Sequence, residues 1–362
     1  MRRIIIIVML VIISTSMIGC SNKKGMSEDE KIEMQQRKMD MKYSEDLIKT
    51  YMDYIMTGDN QGVDSLLTPE VKNKNPINKQ SYPKPLGYKL EQVEKVGDDM
   101  IASVNVVESK SEKSYCSILN MSYTMSKINN KNMLIKRIDN NGQLAFFLDI
   151  KQNVKVFVTK EDNAAKGTVV FDVSEIPSYM VVKSAQEPLR KVELSREDFG
   201  PVAISNDGKH MMITSRKNGN DVLIMIEKVS QVFNIAGGPT GSGGPQGGDG
   251  SKQESQVRNI EMQAIDYFEG STVENIAISP SGDFIVAMVK SGNNTKLSIY
   301  STYNKEILLL KVMEKFKVDE YTILNSYFND KDTIVLTVKN LKKNINENYS
   351  ISIKTDEISK LD

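Results

Sequence analysis

Tryptophan is absent from the 362 residues, histidine occurs once and cysteine twice. A single histidine, His210, excludes a His-based zinc cluster and leaves no spare imidazole for a Ser-His-Asp arrangement. Two cysteines, Cys20 and Cys116, allow at most one disulfide, so a core rather than cross-links must hold the fold. Neither sign of charge is in excess, with 47 basic and 47 acidic residues. That balance implies no strongly charged surface and excludes nucleic acid as an expected partner. Long apolar runs are missing too: the longest, Ile4 to Ile13, has ten residues, whereas crossing a bilayer takes roughly 20.

What is present begins with that run. Met1-Arg2-Arg3, the apolar stretch and Ser14-Thr15-Ser16 supply the basic, apolar and polar parts of a secretory signal. The next four residues, Met17-Ile18-Gly19-Cys20, resemble the lipobox of bacterial lipoproteins, with Met17 in place of the usual leucine. The resemblance implies that residues 1–19 are a signal peptide removed at Cys20, whose thiol carries a diacylglyceryl group. Without lipidation, the same pattern reads as an ordinary signal peptide or an uncleaved anchor. Two or three acyl chains, at about 0.8 kcal/mol per buried methylene, hold a protein firmly at a membrane. The mature chain keeps 343 residues with a net charge of −2, enough for two domains of about 150 residues each. Its bias toward Lys, Ile, Asn and Met points to a low-GC Gram-positive bacterium, which places the chain outside the cell on the outer face of the plasma membrane. Cys116 is then the one remaining thiol. It sits in the strand-like run Tyr115-Cys116-Ser117-Ile118-Leu119 and reads as a small buried side chain.

Residues 20–43 read as a lipidated tether, partly helical, because Ser27 and Glu30 have capping-box spacing. A partner-binding or coiled-coil segment is the alternative there. From 44 to 140 the pattern is α+β. Leu47, Ile48, Tyr51, Met52 and Ile55 recur at helical spacing up to Gly58, and a short helix spans Asn60 to Leu67. Thr68-Pro69-Glu70 reads as an N-cap and first turn. Extended runs broken by turns then reach Ile138. This order resembles the NTF2-like fold, on the segments Tyr51 to Asp59, Ser65 to Glu70 and the hairpin Tyr123 to Ile138, with Met133 where many relatives carry Trp. The resemblance implies a cone-shaped α+β domain. Some members use a Tyr and an Asp inside the cone as isomerases or dehydratases. No inward-facing acidic residue stands out on the strands here, so a packed non-catalytic module is expected.

Residues 144–362 contain an internal repeat. Val202 to Ile213 aligns with Ile276 to Ala287 at an offset of 74, and the offset persists from Gly219–Ile226 to Asn293–Tyr300. A weaker third copy starts at Ser326. Each copy reads strand, tight turn, strand, Asn- or Gly-containing turn, strand. The turns Ser205-Asn206-Asp207-Gly208 and Ser279-Pro280-Ser281-Gly282 suit φ-restricted and left-handed positions, and they resemble the repeats of TolB-like and WD40-like β-propellers. The resemblance implies an all-β, propeller-like C-terminal domain. Three copies fall short of the four to eight blades of a closed ring. The strand-like runs Val154–Thr159, Thr168–Val173 and Tyr179–Lys183 could supply a degenerate fourth blade; without them the domain is a partial propeller or a sandwich. Residues 236–256 begin with eight glycines and two prolines in fifteen positions and read as a disordered loop. No Gly-Lys-Ser/Thr follows them, which excludes a phosphate-binding loop.

The acidic pairs Asp98-Asp99, Glu197-Asp198 and Asp319-Glu320 fall at turns or element ends, where solvation accounts for them. The sequence thus designates no catalytic, cofactor-binding or metal-binding residue; its one assigned site is the lipidation site Cys20. The expected function is a non-catalytic binding or scaffolding module of the bacterial cell envelope. Its partners are the membrane, through Cys20, and an envelope protein or cell-wall component. The alternative is a small-molecule-binding, hydrolytic or isomerase-type activity in the NTF2-like cone.

Overall fold

Ser27 opens the first helix: its backbone amide donates to Glu30 Oε2 (2.8 Å), and the Glu30 amide donates to Ser27 Oγ (3.2 Å). This reciprocal capping box, with Glu28, Asp29 and Glu30 facing the positive end of the helix dipole, starts α1 at Glu28. The helix then runs unbroken to Thr57, about 45 Å at 1.5 Å per residue. Only its second half is buried, on the stripe Ser44, Leu47, Ile48, Tyr51, Met52 and Met56; residues 28–39 are exposed. The described part of the expected tether, from Glu28 to Lys42, and the first helix expected from the sequence are therefore one continuous helix. Asp59 N–H donates to Tyr54 O (2.9 Å) and Gly58 N–H to Ile55 O (3.2 Å), the two bonds of a Schellman stop.

The structure, a computed structural model, describes residues 27–74, 84–110, 114–129, 132–149, 155–159, 168–182, 189–227, 260–308 and 310–361. Cys20 and the Gly-rich segment 236–256 lie outside the described residues. No described helix is long and apolar enough to cross a membrane. Residues Tyr43–Asp362 form one compact unit.

After α1 come α2 (Asn60–Ser65), capped by Asp59 Oδ1 (2.9 Å from Gly62 N), and α3 (Pro69–Lys74), with Pro69 as its first residue. Thr68 does not cap α3 through its side chain. Its hydroxyl is buried without a hydrogen-bond partner, while its backbone amide donates to Ile135 O (2.9 Å). Four long strands follow as a meander: β1 (Lys84–Val96), β2 (Asp99–Lys110), β3 (Tyr115–Asn129) and β4 (Asn132–Asp149). Helix α1 lies on one end of this sheet, where Tyr51 meets Tyr123 edge-on (5.4 Å between centroids) and Ser44 Oγ donates to Met133 Sδ (3.3 Å).

Strands of 12 to 18 residues are longer than that helical stripe can cover. The far ends of β2–β4 present Val107, Cys116, Ile118 and Phe146 to the C-terminal sheets instead. β4 runs through positions 140–144 without a break, and β5 (Lys155–Thr159) and β6 (Thr168–Asp172) extend the same sheet. β7 (Tyr179–Val182) and β8 (Arg190–Glu193) form a separate hairpin. The runs between 154 and 183 are thus divided between the N-terminal sheet and this hairpin and do not build a fourth blade. Pairing with the exposed edge of β4 satisfies backbone groups that a free edge strand would leave open.

The three sequence copies are three antiparallel sheets. The first is β9 (Phe199–Ile204), β10 (His210–Lys217), β11 (Asn220–Glu227) and β12 (Glu261–Phe268); the second is β13 (Thr272–Ile278), β14 (Phe284–Ser291) and β15 (Asn294–Ser301). The third is β16 (Tyr321–Phe328), β17 (Thr333–Asn340), β18 (Ile345–Ser352) and β19 (Glu357–Leu361), preceded by a short helix α4 (Lys311–Lys315). Their central strands are apolar at nearly every position because both faces are covered. On β11, Val222, Ile224 and Ile226 join the core shared with the meander and the β7–β8 hairpin, while Leu223 and Met225 face the second sheet. On β14, Ile285, Ala287 and Val289 face the first sheet, and Val286 and Met288 face the third. Stacked antiparallel meanders of four, three and four strands, with the first strands β9 and β13 in contact, are a propeller-type arrangement, so the C-terminal region is all-β and propeller-like.

Both repeated turns have the expected chemistry. Gly208 (φ 68°) and Gly282 (φ 81°) are left-handed, and their amides close the turns onto Ser205 O (2.9 Å) and Ser279 O (2.8 Å). The stack is completed by the meander. β1 pairs in parallel with β16 at Gly87 and Phe328, where a Cβ on residue 87 would stand 3.3 Å from that of Phe328. At the other end β2, β3 and β4 pack on β9, and Ser114 Oγ lies 2.7 Å from Gly200 O and 3.1 Å from Phe199 O.

Candidate functional site

Two places combine polar or unpaired groups with the junctions between elements. The first is the seam where α1, β1 and β16 meet. Asp53 stands on α1 beside the buried stripe, Tyr88 on β1 and Tyr327 on β16, both tyrosines almost wholly buried. Asn325 Nδ2 donates to the carbonyl of Met56 (3.3 Å), which ties β16 to the last turn of α1. Burial lifts the Asp53 carboxyl from 3.8 to about 6, against the opposing pull of Lys49 one turn away. Its Oδ1 is buried without a hydrogen-bond partner, as is Oδ1 of Asn325. Burial raises the Tyr88 and Tyr327 phenols, and the charge of Asp53 raises both further. A carboxyl that titrates near neutrality beside two phenols can accept or return a proton, and its unsatisfied oxygen can receive a donor.

This Tyr and carboxylate constellation is not legible on the strands, where no inward-facing acid stands out. The acid comes from the helix. Asp53 directly follows buried Met52, three residues before buried Met56, and that adjacency is the signal that could have found it.

The second place is the outer edge of the middle sheet. β12 and β19 complete the first and third sheets, whereas among the described residues β15 has beyond it only the isolated bridge of Tyr300 to Ile307. β14 and β15 pair from Ser291 and Asn294 outward, so odd-numbered residues of β15 turn their backbone groups away from β14. Four of these outward groups are occupied: Thr295 N–H donates to Thr322 Oγ1 (3.0 Å), Ile299 O accepts from Leu308 N–H (2.7 Å), Ser301 N–H donates to Glu306 O (3.1 Å), and Ser301 O accepts from Lys305 N–H (3.0 Å). Leu297, midway, faces a cavity of about 370 Å³ together with Val312, Met313, Phe316, Val318 and Ile323. Lys296, Lys317 and Asp319 form its rim. Phe316 is fixed edge-on between Tyr321 (5.3 Å) and Tyr349 (4.9 Å), which holds the α4 wall in place.

The other residues singled out in the sequence serve structure. Cys116 is fully buried and burial pushes its thiol up to about 12, so the thiol form persists. His210 follows the first repeated turn; its backbone amide donates to Ser205 Oγ (3.0 Å), and its Nδ1 is buried without a partner. Asp99 bonds Lys136 (2.7 Å) and Ser126 (2.6 Å), which hold its carboxyl below the usual range. Glu320 pairs with Lys342 (2.7 Å). Among the described residues, no group of three or more His, Cys, Asp or Glu side chains is placed to hold a metal ion.

No family model and no curated protein matches the chain. Among solved structures it is similar to an oligogalacturonate lyase in complex with manganese, at 8% identity and a TM-score of 0.38, over 78% of this chain and 74% of that one. It is similar to TolB from Acinetobacter baumannii at 9% identity and a TM-score of 0.32, over 77% of this chain and 69% of that one. Oligopeptidase B from Leishmania major aligns at 9% identity and a TM-score of 0.31 with 77% of this chain, which spans 32% of the oligopeptidase's length. Identities and TM-scores this low transfer neither a ligand nor a reaction to this chain.

Proposed function

We propose that the protein is an extracytoplasmic lipoprotein, held through lipid on Cys20 at the outer face of a Gram-positive plasma membrane, that acts as a non-catalytic binding or scaffolding module of the cell envelope. The observation that carries the reading is the apolar cavity beside the incomplete middle sheet, a concave surface rimmed by Lys296, Lys317 and Asp319. The signal-like residues 1–20 support the anchor, and the exposed first half of α1 suits a spacer between anchor and folded region. Helix α1 on the β1–β4 meander is consistent with an NTF2-like module that has been built into the propeller-type stack.

The test is chemical cross-linking in the native membrane, comparing the wild type with Cys20→Ala. A defined envelope partner, lost on replacing Cys20, is expected. Recovery of no partner from either form would contradict the proposal. A second reading, a small-molecule or isomerase-type site in the NTF2-like module, is favoured by the seam of Asp53, Tyr88 and Tyr327. Its measure is a ligand screen repeated on Asp53→Asn: a hit whose affinity is unchanged by the substitution would remove that reading.

A further inference from the structure

We propose that the middle sheet is completed in trans: an extended segment of a partner polypeptide enters the cavity between β15 and α4 and adds as the fourth strand. This names the partner chemistry of the binding reading above and rests on it. The sheets on either side are the internal reference. They arise from the same repeat and each carries a fourth strand, β12 paired along β11 from Glu227 to Asp221 and β19 paired along β18 from Asn348 to Ser352. After β15 the chain instead turns back, pairs with the end of that strand only through the bridge of Ile307 to Tyr300, and forms α4, so among the described residues the middle sheet has this single bridge where the other two carry a full fourth strand.

The edge left over has the groups that strand addition uses. By the alternation of β15, the carbonyl of Thr295, both backbone groups of Leu297 and the amide of Ile299 point outward, and none enters a hydrogen bond among the described residues. An antiparallel segment of about five residues would engage all four. The cavity behind the edge is apolar, lined by Val312, Met313, Phe316 and Ile323, and Val318 at its mouth is 46% exposed. It therefore takes apolar side chains at alternate positions of the added strand. At the rim two lysines, Lys296 and Lys317, stand against one carboxylate, Asp319, so acidic residues flanking the apolar ones complement the excess positive charge. β12 itself has this composition, Glu-Met-Gln-Ala-Ile-Asp-Tyr-Phe from Glu261 to Phe268.

The probe is a synthetic peptide with the β12 sequence, offered to the full-length protein alongside a panel of alternating apolar and acidic peptides and a β12 peptide with proline at the position of Ala264. Hydrogen exchange of the Leu297 and Ile299 amides is the readout. The expected result is slowing by about tenfold or more with the β12 peptide or a panel member, none with the proline peptide, and none on Met313→Arg, which puts a charge into the cavity. Cys116 that stays unreactive toward thiol reagents shows that the variant has folded; should it not, Val318→Arg at the exposed mouth replaces it. No slowing with any peptide, or equal slowing in the arginine variant, overturns strand addition. A photo-reactive residue is placed in the native membrane at Met313 or at Tyr303, which is 95% exposed and outside the cavity. This separates the two levels of the argument. A partner captured only from Tyr303 overturns strand addition and leaves the binding reading standing, whereas capture from neither position contradicts both.

Discussion

Replacing Asp53 by asparagine keeps the shape of the side chain and removes its charge, so its effect isolates the electrostatics of the seam. In the folded protein the carboxyl is lifted from 3.8 to about 6, with burial as the largest cause. A raised folded value means that the folded state holds this proton more tightly than the unfolded chain does. The associated stability is fully present below about pH 4, is lost as the pH rises through about 6, and becomes the penalty of an ionised, partly desolvated carboxylate above that. A shift of about two units corresponds to about 3 kcal/mol; because the group is partly exposed and Lys49 is near, screening reduces this to about 1–2 kcal/mol. Urea unfolding at pH 4 and at pH 8 is the assay. Asp53→Asn should be about 1–2 kcal/mol more stable than wild type at pH 8 and nearly equal to it at pH 4. Equal differences at the two pH values, which would mean that folding does not raise the carboxyl, or a variant less stable at pH 8, which would mean that the carboxylate is held by a favourable partner, would refute the reasoning.

Three further outcomes follow from particular contacts. Asp221 is fully buried, receives Arg216 at 3.0 and 3.1 Å and accepts from the amide of Val273 (2.7 Å), which locks the first sheet to the second; Asp221→Ala should lower stability by about 3–5 kcal/mol in urea unfolding, and a loss under about 1 kcal/mol would show that this link is dispensable. Native Cys116 should resist Ellman's reagent at pH 8 and react only as fast as the protein unfolds, because burial holds the thiol at about 12; rapid native labelling would contradict that burial. Gly282→Ala should cost about 1–2 kcal/mol by thermal or urea unfolding because φ is 81° there, while Ser281→Ala, in the same turn, should cost less.

Elements that depend on neighbours in the chain were legible in the sequence. The capping box at Ser27, the stripe from Leu47 to Met56 and the turns at Gly208 and Gly282 set local geometry through residues within a few positions of one another. The apolar runs of β10, β11 and β14 likewise announce strands buried on both faces. Partnership between distant segments was not legible. Nothing in the composition of 155–159 and 168–172 says that the first pairs with β4 and the second with β5 in preference to forming a blade, because the choice depends on which backbone edge is free once β3 and β4 have formed. Gly87 gives a faint signal, a glycine inside a strand, of the close approach that joins β1 to β16. Asp53 carries its meaning only after β16 arrives from nearly 270 residues away, as its neighbour Met56 does in accepting from Asn325.

The proposed function requires that the protein be tethered by lipid to the outer face of a membrane. The most direct measurement is mass spectrometry of the N-terminal peptide of the protein extracted from its native membrane. The account predicts a peptide that begins at Cys20, lacks residues 1–19 and carries diacylglyceryl on the thiol. A peptide that retains Met1, or one cleaved elsewhere with an unmodified Cys20, would contradict it.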